Sequence, residues 1–321
     1  MKHLLIRRVK TLGNTRTAFG EALRELALEG KDIVTVNADT EKSMCLDLLK
    51  EKFPQRVINV GIAEQNMMMV AAGIASTGKI VFACSYAMLN SMRALEQVRT
   101  FIAYPYLNVK IISGLSGLTG GMEGVTHQSI EDIAIMRSIP NMVVLAPADY
   151  CSTKIIVKKA SEYKGPVYIR LGRKDSPDIF DENYQFKIGR ANKLREGKDA
   201  CLIATGLILD RAIKAVDILE ERGYSIELLE MPSIKPIDKE SIIAAARRTG
   251  RIITIEDHSI IGGLGGAVAE LLAENYPVKM KRIGVNDTFA ESAKYPDLLD
   301  KYGLSINNIV RQTEEMIIKS N

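Results

Sequence analysis

Glu64 stands in unusual company for an acid. It follows Gly61-Ile62-Ala63 and precedes Met67, Met68, Met69, Val70, Ala71, Ala72 and Ile74. A carboxylate in the first turn of a helix complements the helix dipole, an ordinary role worth about 0.3–1 kcal/mol. A second reading comes from the apolar surroundings. A carboxyl withdrawn from water is expected to titrate high, because desolvation disfavours its charged form, and such a group suits proton exchange with a nitrogen base. Spacing alone supports both readings equally. His127 is the second candidate. It closes the glycine-rich stretch from Ser113 to Gln128, which carries too many glycines for packing alone and lets backbone approach a ligand closely. A lone histidine is usually a structural hydrogen-bonder. Its place just before Ser129, read here as the cap of the next helix, keeps a catalytic role equally open.

Two glycine motifs read differently. Gly73-Ile-Ala-Ser-Thr-Gly78-Lys79 approaches the phosphate-cradling pattern, but Ile80 stands where a hydroxyl should be, and a helix precedes it where a strand is needed. Gly262-Gly263-Leu264-Gly265-Gly266 lacks the last glycine of a dinucleotide fingerprint, since Val268 stands there; it is expected to start a helix packed closely on a sheet.

The elements that must position these residues alternate in type. Asn14 is expected to cap a helix carrying Ala18, Phe19, Ala22, Leu23 and Leu26, stopped by Gly30. Strands are expected at 33–36, 57–59, 80–84, 109–113, 143–145 and 167–170, with helices between them near 43–51 and 62–75, one ending at Phe101, and others at 130–138 and 150–163. The 62–75 helix is apolar nearly all round, which places it in a core or an interface. Residues 174–188 are poor in apolar side chains and read as a linker. The rhythm then restarts, with strands at 200–204, 225–229, 251–255 and 278–283 and helices at 207–221, 239–248, from Gly263 and from Ser305. The fold class is therefore α/β: two α/β domains, each with a mainly parallel sheet, over residues 1–173 and 189–321.

Composition narrows the function classes. Charged residues make up 26% and apolar residues 46% of the chain, which is globular and not disordered. A net charge of +4 without a basic run, and no Trp, give no nucleic-acid footprint. Cys45, Cys84, Cys151 and Cys201 show no metal or redox spacing, and three histidines (His3, His127, His258) are too few for a His-built metal centre. Met1–Lys10 is too short and too charged for a signal peptide, and no 18-residue apolar run occurs, so a cytoplasmic chain is expected.

Three spaced motifs, Gly61-Ile-Ala-Glu-Gln-Asn-Met-Met68, Gly120-Gly-Met-Glu-Gly-Val-Thr-His-Gln128 and Ile135-Met-Arg-Ser-Ile-Pro-Asn141, resemble the C-terminal half of transketolase. Glu256-Asp-His-Ser-Ile-Ile-Gly-Gly263 is similar to the C-terminal domain that transketolases share with 2-oxoacid dehydrogenase beta subunits. The resemblance runs from about Thr11 to the last helix. It implies a pyrimidine-binding domain for thiamine diphosphate followed by a transketolase C-terminal domain. Glu64 matches the glutamate that engages the aminopyrimidine ring and promotes loss of the thiazolium proton. Tyr86 matches the aromatic stacked on the pyrimidine and Leu89 a ring-pocket position that is usually Phe; Asp39, near the thiazolium end, and Ile62 complete the cofactor set. His127 matches a residue that binds the donor's first hydroxyl, Glu123 an Asp that reads the second, and Arg16, Ser43 and Arg173 positions that bind the sugar phosphate.

The Gly-Asp-Gly segment with which the family holds magnesium and the diphosphate occurs nowhere in the chain. The resemblance therefore implies one half of a split transketolase that transfers a two-carbon ketol unit. An N-terminal partner subunit would hold magnesium and the diphosphate, in a heterotetramer of two plus two. A 2-oxoacid dehydrogenase beta subunit or a deoxyxylulose-phosphate synthase-like enzyme is the alternative. Leu115 in place of a phosphate-binding His, Met122, Thr40 and Met92 depart from the usual pattern and leave the acceptor sugar open.

Overall fold

The computed structural model describes residues 12–173 and 175–318. The basic segment Met1–Lys10 with His3, and Lys174 at the start of the expected linker, lie outside the described residues.

Asn14 caps the helix Thr15–Leu28 as expected: its side chain accepts the Arg16 backbone N–H at 3.0 Å. The helix turns Ala18, Phe19, Ala22, Leu23 and Leu26 inward, and Gly30, at φ 79°, follows its end in the left-handed region that glycine enters without strain. The first-domain strands are β1 (Ile33–Asn37), β2 (Val57–Asn59), β3 (Ile80–Tyr86), β4 (Val109–Gly114), β5 (Val143–Leu145) and β6 (Val167–Arg170). Those of the second are β7 (Asn192–Arg195), β8 (Ala200–Thr205), β9 (Ile226–Glu230), β10 (Ser233–Lys235), β11 (Arg251–Ser259) and β12 (Lys279–Val285).

The first sheet runs β10-β5-β6-β4-β3-β1-β2 and is parallel apart from β10. The second runs β12-β11-β8-β9-β7 and is parallel apart from β7. Strands such as β1, β4 and β8 are buried at every residue because helices cover both faces of the sheets. The expected α/β class with two mainly parallel sheets is the fold observed.

Several local expectations are corrected. The expected helix near 43–51 shrinks to Asp47–Lys50, preceded by turns. The expected helix to Phe101 is broken into wide π-helical turns at Leu89–Arg93 and Val98–Ala103 around the short helix Leu95–Gln97. Ser129 does not cap the next helix. That helix begins at Asp132, and the Ser129 hydroxyl is buried with no hydrogen-bond partner among the described residues. The helix Glu64–Ala75 is apolar on both sides but buries only one: Met67, Met68, Ala71, Ala72 and Ala75 are inside, while Met69 remains 39% exposed.

The polar segment after Lys174 is packed rather than solvated. Ile179, Phe180 and Tyr184 enter the main core, and Ser176–Pro177 pairs with Leu12–Gly13. The second domain also reaches into the first. β10 lies antiparallel on β5, and the Ala146 N–H donates to the Pro232 carbonyl at 2.9 Å. The double-glycine segment behaves as expected: a Cβ on Gly263 would lie 2.0 Å from the Glu256 carboxylate, which accepts the first N–H groups of the helix Leu264–Asn275 at 2.6 and 2.7 Å. Among the described residues no helix is long and apolar enough to cross a membrane.

Candidate active site

The predicted site residues follow the carboxyl ends of five neighbouring parallel strands. Asp39, Thr40 and Ser43 come after β1, Ile62 and Glu64 after β2, and Leu89 after β3, whose last residue is Tyr86. Glu123 and His127 come after β4, and Arg173 after β6. Ligand crevices in open α/β sheets lie at this edge. Arg16 joins from the first turn of the helix Thr15–Leu28.

Glu64 opens its helix with its side chain 1% exposed, so the burial read from its apolar neighbours is present. It is not alone there. Arg93, half-exposed on the first π-helical stretch, donates from Nη1 to Glu64 Oε2 at 3.1 Å. Leu89 is half-buried on the same stretch. Ile62 is an apolar side chain left 74% exposed by the described residues. Asp39 is exposed at φ 59° and clamped by Asn59: the Asp39 N–H donates to Asn59 Oδ1 at 3.1 Å, and Asn59 Nδ2 donates to Asp39 Oδ1 at 3.2 Å.

A second group gathers around Arg16. Its Nη1 donates to the Ser43 carbonyl at 2.7 Å and its Nη2 to the Arg173 carbonyl at 2.8 Å, while its Nε is buried without a partner among the described residues. Burial draws its pKa below the ordinary value, and the neighbouring Arg173 guanidinium pushes the same way. The Ser43 hydroxyl donates to the Thr40 carbonyl at 3.2 Å, and Arg173 forms an ion pair with Glu123. Arg16, Ser43 and Arg173 are thus brought together, but their polar atoms are largely engaged by the protein itself. Tyr86 and His127 meet with ring centroids 5.8 Å apart, and His127 Nδ1 shares a hydrogen bond with Thr126 Oγ1 at 3.0 Å. Leu115 is 2% exposed at φ 58°, whereas Met122 and Met92 are exposed. Thr40 donates its hydroxyl to the Cys84 carbonyl at 2.9 Å.

Sequence reasoning missed Arg93, which lies 29 residues from Glu64 in a stretch whose π-helical turns defeat a 3.6-residue period. It also missed a buried charged cluster at the domain junction. Arg170 Nε donates to Asp132 at 2.9 Å, Tyr168 donates its hydroxyl to the same carboxylate at 2.8 Å, and Arg170 Nη2 donates to the Asp257 carbonyl at 2.6 Å. Asp132 and Asp257 hold the Arg170 guanidinium firmly protonated against the cost of burial. Charged residues inside strands were the available signal.

The donor set suits a flat, partly apolar heterocycle: a buried carboxylate, a half-exposed aromatic and an exposed apolar side chain along one edge of the sheet. It does not suit a metal. Among the described residues no group of three or more His, Cys, Asp or Glu side chains is placed to hold an ion.

Residues 13–178 match the transketolase pyrimidine binding domain and residues 189–309 the transketolase C-terminal domain. A putative transketolase C-terminal section from Methanocaldococcus jannaschii is 47% identical over 95% of this chain and 96% of its own length. A subunit of the apulose-4-phosphate transketolase from Phocaeicola vulgatus is 40% identical over 95% of this chain and 97% of its own. A solved split gene transketolase, described as an inactive beta4 tetramer, superimposes with a TM-score of 0.89 at 46% identity, covering 95% of this chain and 98% of that one.

Proposed function

We propose that this chain, which belongs to the transketolase family as a C-terminal subunit, supplies the pyrimidine and sugar ends of a thiamine diphosphate site and transfers a two-carbon ketol unit from a ketose phosphate to an aldose. An N-terminal subunit would hold magnesium and the diphosphate, in an assembly of two plus two. The observation that carries this reading is Glu64: a carboxylate buried to 1% at the carboxyl edge of a parallel sheet, beside an uncovered apolar rim.

Thiamine diphosphate, when bound, supplies a carbon nucleophile able to carry the ketol unit. The protein's part is to orient and to move protons. Glu64 would hold a proton against a ring nitrogen of the aminopyrimidine, with the Arg93 guanidinium fixing its Oε2. Tyr86 would stack on the ring, with Leu89 and Ile62 completing its apolar walls and Asp39 lying towards the thiazolium end. His127, steadied by Thr126 and Tyr86, would bind a donor hydroxyl and exchange its proton. Glu123 would read the neighbouring hydroxyl, and Arg16, Ser43 and Arg173 would receive the phosphate once Arg173 leaves Glu123.

The test is ketol transfer by the chain assembled with an N-terminal transketolase subunit, thiamine diphosphate and magnesium. Glu64→Gln is expected to lower turnover by about 100-fold or more, the scale of a lost acid–base group. Turnover at the parental rate would end the assignment.

A further inference from the structure

The loop that carries His127 is held at its base by the second domain. Gly117 and Ser129 pinch the loop shut through reciprocal backbone hydrogen bonds of 2.7 and 3.1 Å. Asp257, at the end of β11 and 3% exposed, accepts the Leu118 N–H on both carboxylate oxygens at 3.0 and 3.2 Å. The same carboxylate accepts the Tyr295 hydroxyl at 3.0 Å. Gly117 sits at φ 59°, and a Cβ there would come within 2.4 Å of Asp257 Oδ2, so only glycine admits the carboxylate this close. Further along, Gln128 Nε2 donates to the Glu291 carbonyl at 2.9 Å and to the Gly121 carbonyl at 3.2 Å. A segment of the second domain, residues 291–295, therefore lies along the loop, while the loop's tip at Met122 and Val125 remains exposed.

We propose that Asp257 is a positioning residue for His127, acting through the Leu118 amide and the Tyr295 hydroxyl to hold the 117–129 loop at the mouth of the site. The C-terminal domain thereby gains a defined role, since it carries none of the predicted site residues but sets where one of them stands. The proposal rests on the reading of His127 as a substrate-contacting group. A carboxylate with two oxygens suits the role because it accepts from two directions at once, whereas a single acceptor would leave the loop free to pivot.

The experiment compares Asp257→Ala, Asp257→Asn and Tyr295→Phe in the assembled complex, each with and without His127→Ala. Asp257→Ala is expected to lower kcat/KM for the ketose donor by about 10-fold, and Asp257→Asn to recover most of it, since its carbonyl oxygen still accepts from Leu118. In the His127→Ala background the same change is expected to add less than about 2-fold, because both act through one contact. Tyr295→Phe removes a single hydroxyl and is expected to show the same non-additivity at about 3-fold. In the full chain, amide exchange across 118–128 should quicken in Asp257→Ala while the helix Glu64–Ala75 keeps its protection.

Additive losses, parental activity in both Asp257→Ala and Tyr295→Phe, or unchanged exchange in the loop would overturn the proposal. Parental turnover in His127→Ala alone would remove the catalytic reading of His127 and the functional half of this one. The exchange data would still decide whether Asp257 holds the loop.

Discussion

Glu123 and Arg173 form an ion pair, so the cation proposed to meet a substrate anion is neutralised within the chain itself. Both side chains are about one-third exposed, a setting in which solvent screens the pair to about 0.2–1 kcal/mol. Loss of the hydroxyl contact acts on every donor, but only an anion gains the freed guanidinium, so Glu123→Gln should lower KM for a phosphorylated donor relative to an uncharged one by about 2- to 5-fold at low salt; steady-state kinetics with both donors checks this. An equal change for the two would mean that Arg173 does not meet the anion. At this scale sequence reading found the acid and missed its partner. Glu64 announced itself through its apolar neighbours, but nothing in the type or spacing of Arg93 linked it to a residue on another element.

Elements were most legible where a cap and a periodic face lie close together in sequence, as in Thr15–Leu28. They failed where a distant contact decides. Asp149 shows why the 174–188 stretch misled. One oxygen caps the helix Tyr150–Glu162 through the Ser152 N–H at 2.8 Å, and the other accepts the Ile179 and Phe180 N–H groups, both at 2.7 Å. A segment with few apolar residues is thereby tied into the core by an acid about thirty residues upstream. Asp149→Ala would orphan three buried backbone N–H groups and is expected to cost about 2–4 kcal/mol, whereas Asp149→Asn should cost less. Urea denaturation of the three chains measures it, and a loss near zero would show that the strap holds without its acid.

For the whole molecule, buried acids tilt stability with pH. Burial pushes Glu230 up from 4.5 to about 8, against the hydrogen bonds it receives from Asn192 and Tyr184. Its folded value exceeds its unfolded one, so its contribution is full below pH 4.5 and is lost as pH rises through about 8. His258, drawn down to about 4 by burial, tilts the other way: its contribution is full above 6.5 and is lost as pH falls through about 4. Glu230→Gln should match the parent near pH 5 and surpass it near about pH 8.5, read as urea midpoints at the two values. Equal midpoints at both would mean that Glu230 is already ionised when folded.

At this scale the two α/β units were visible in the sequence, because each repeats strand and helix within about thirty residues. The three-residue strand β10 was not, since nothing in Ser233–Lys235 says which sheet it joins. That strand has a consequence of its own. It comes from the second unit yet forms the border of the first, shielding the unpaired backbone of β5. The halves are therefore stitched, not strung. A gene cut between them would release an amino-terminal piece with a raw, sticky margin, prone to recruit any extended chain that could stand in for the lost selvage.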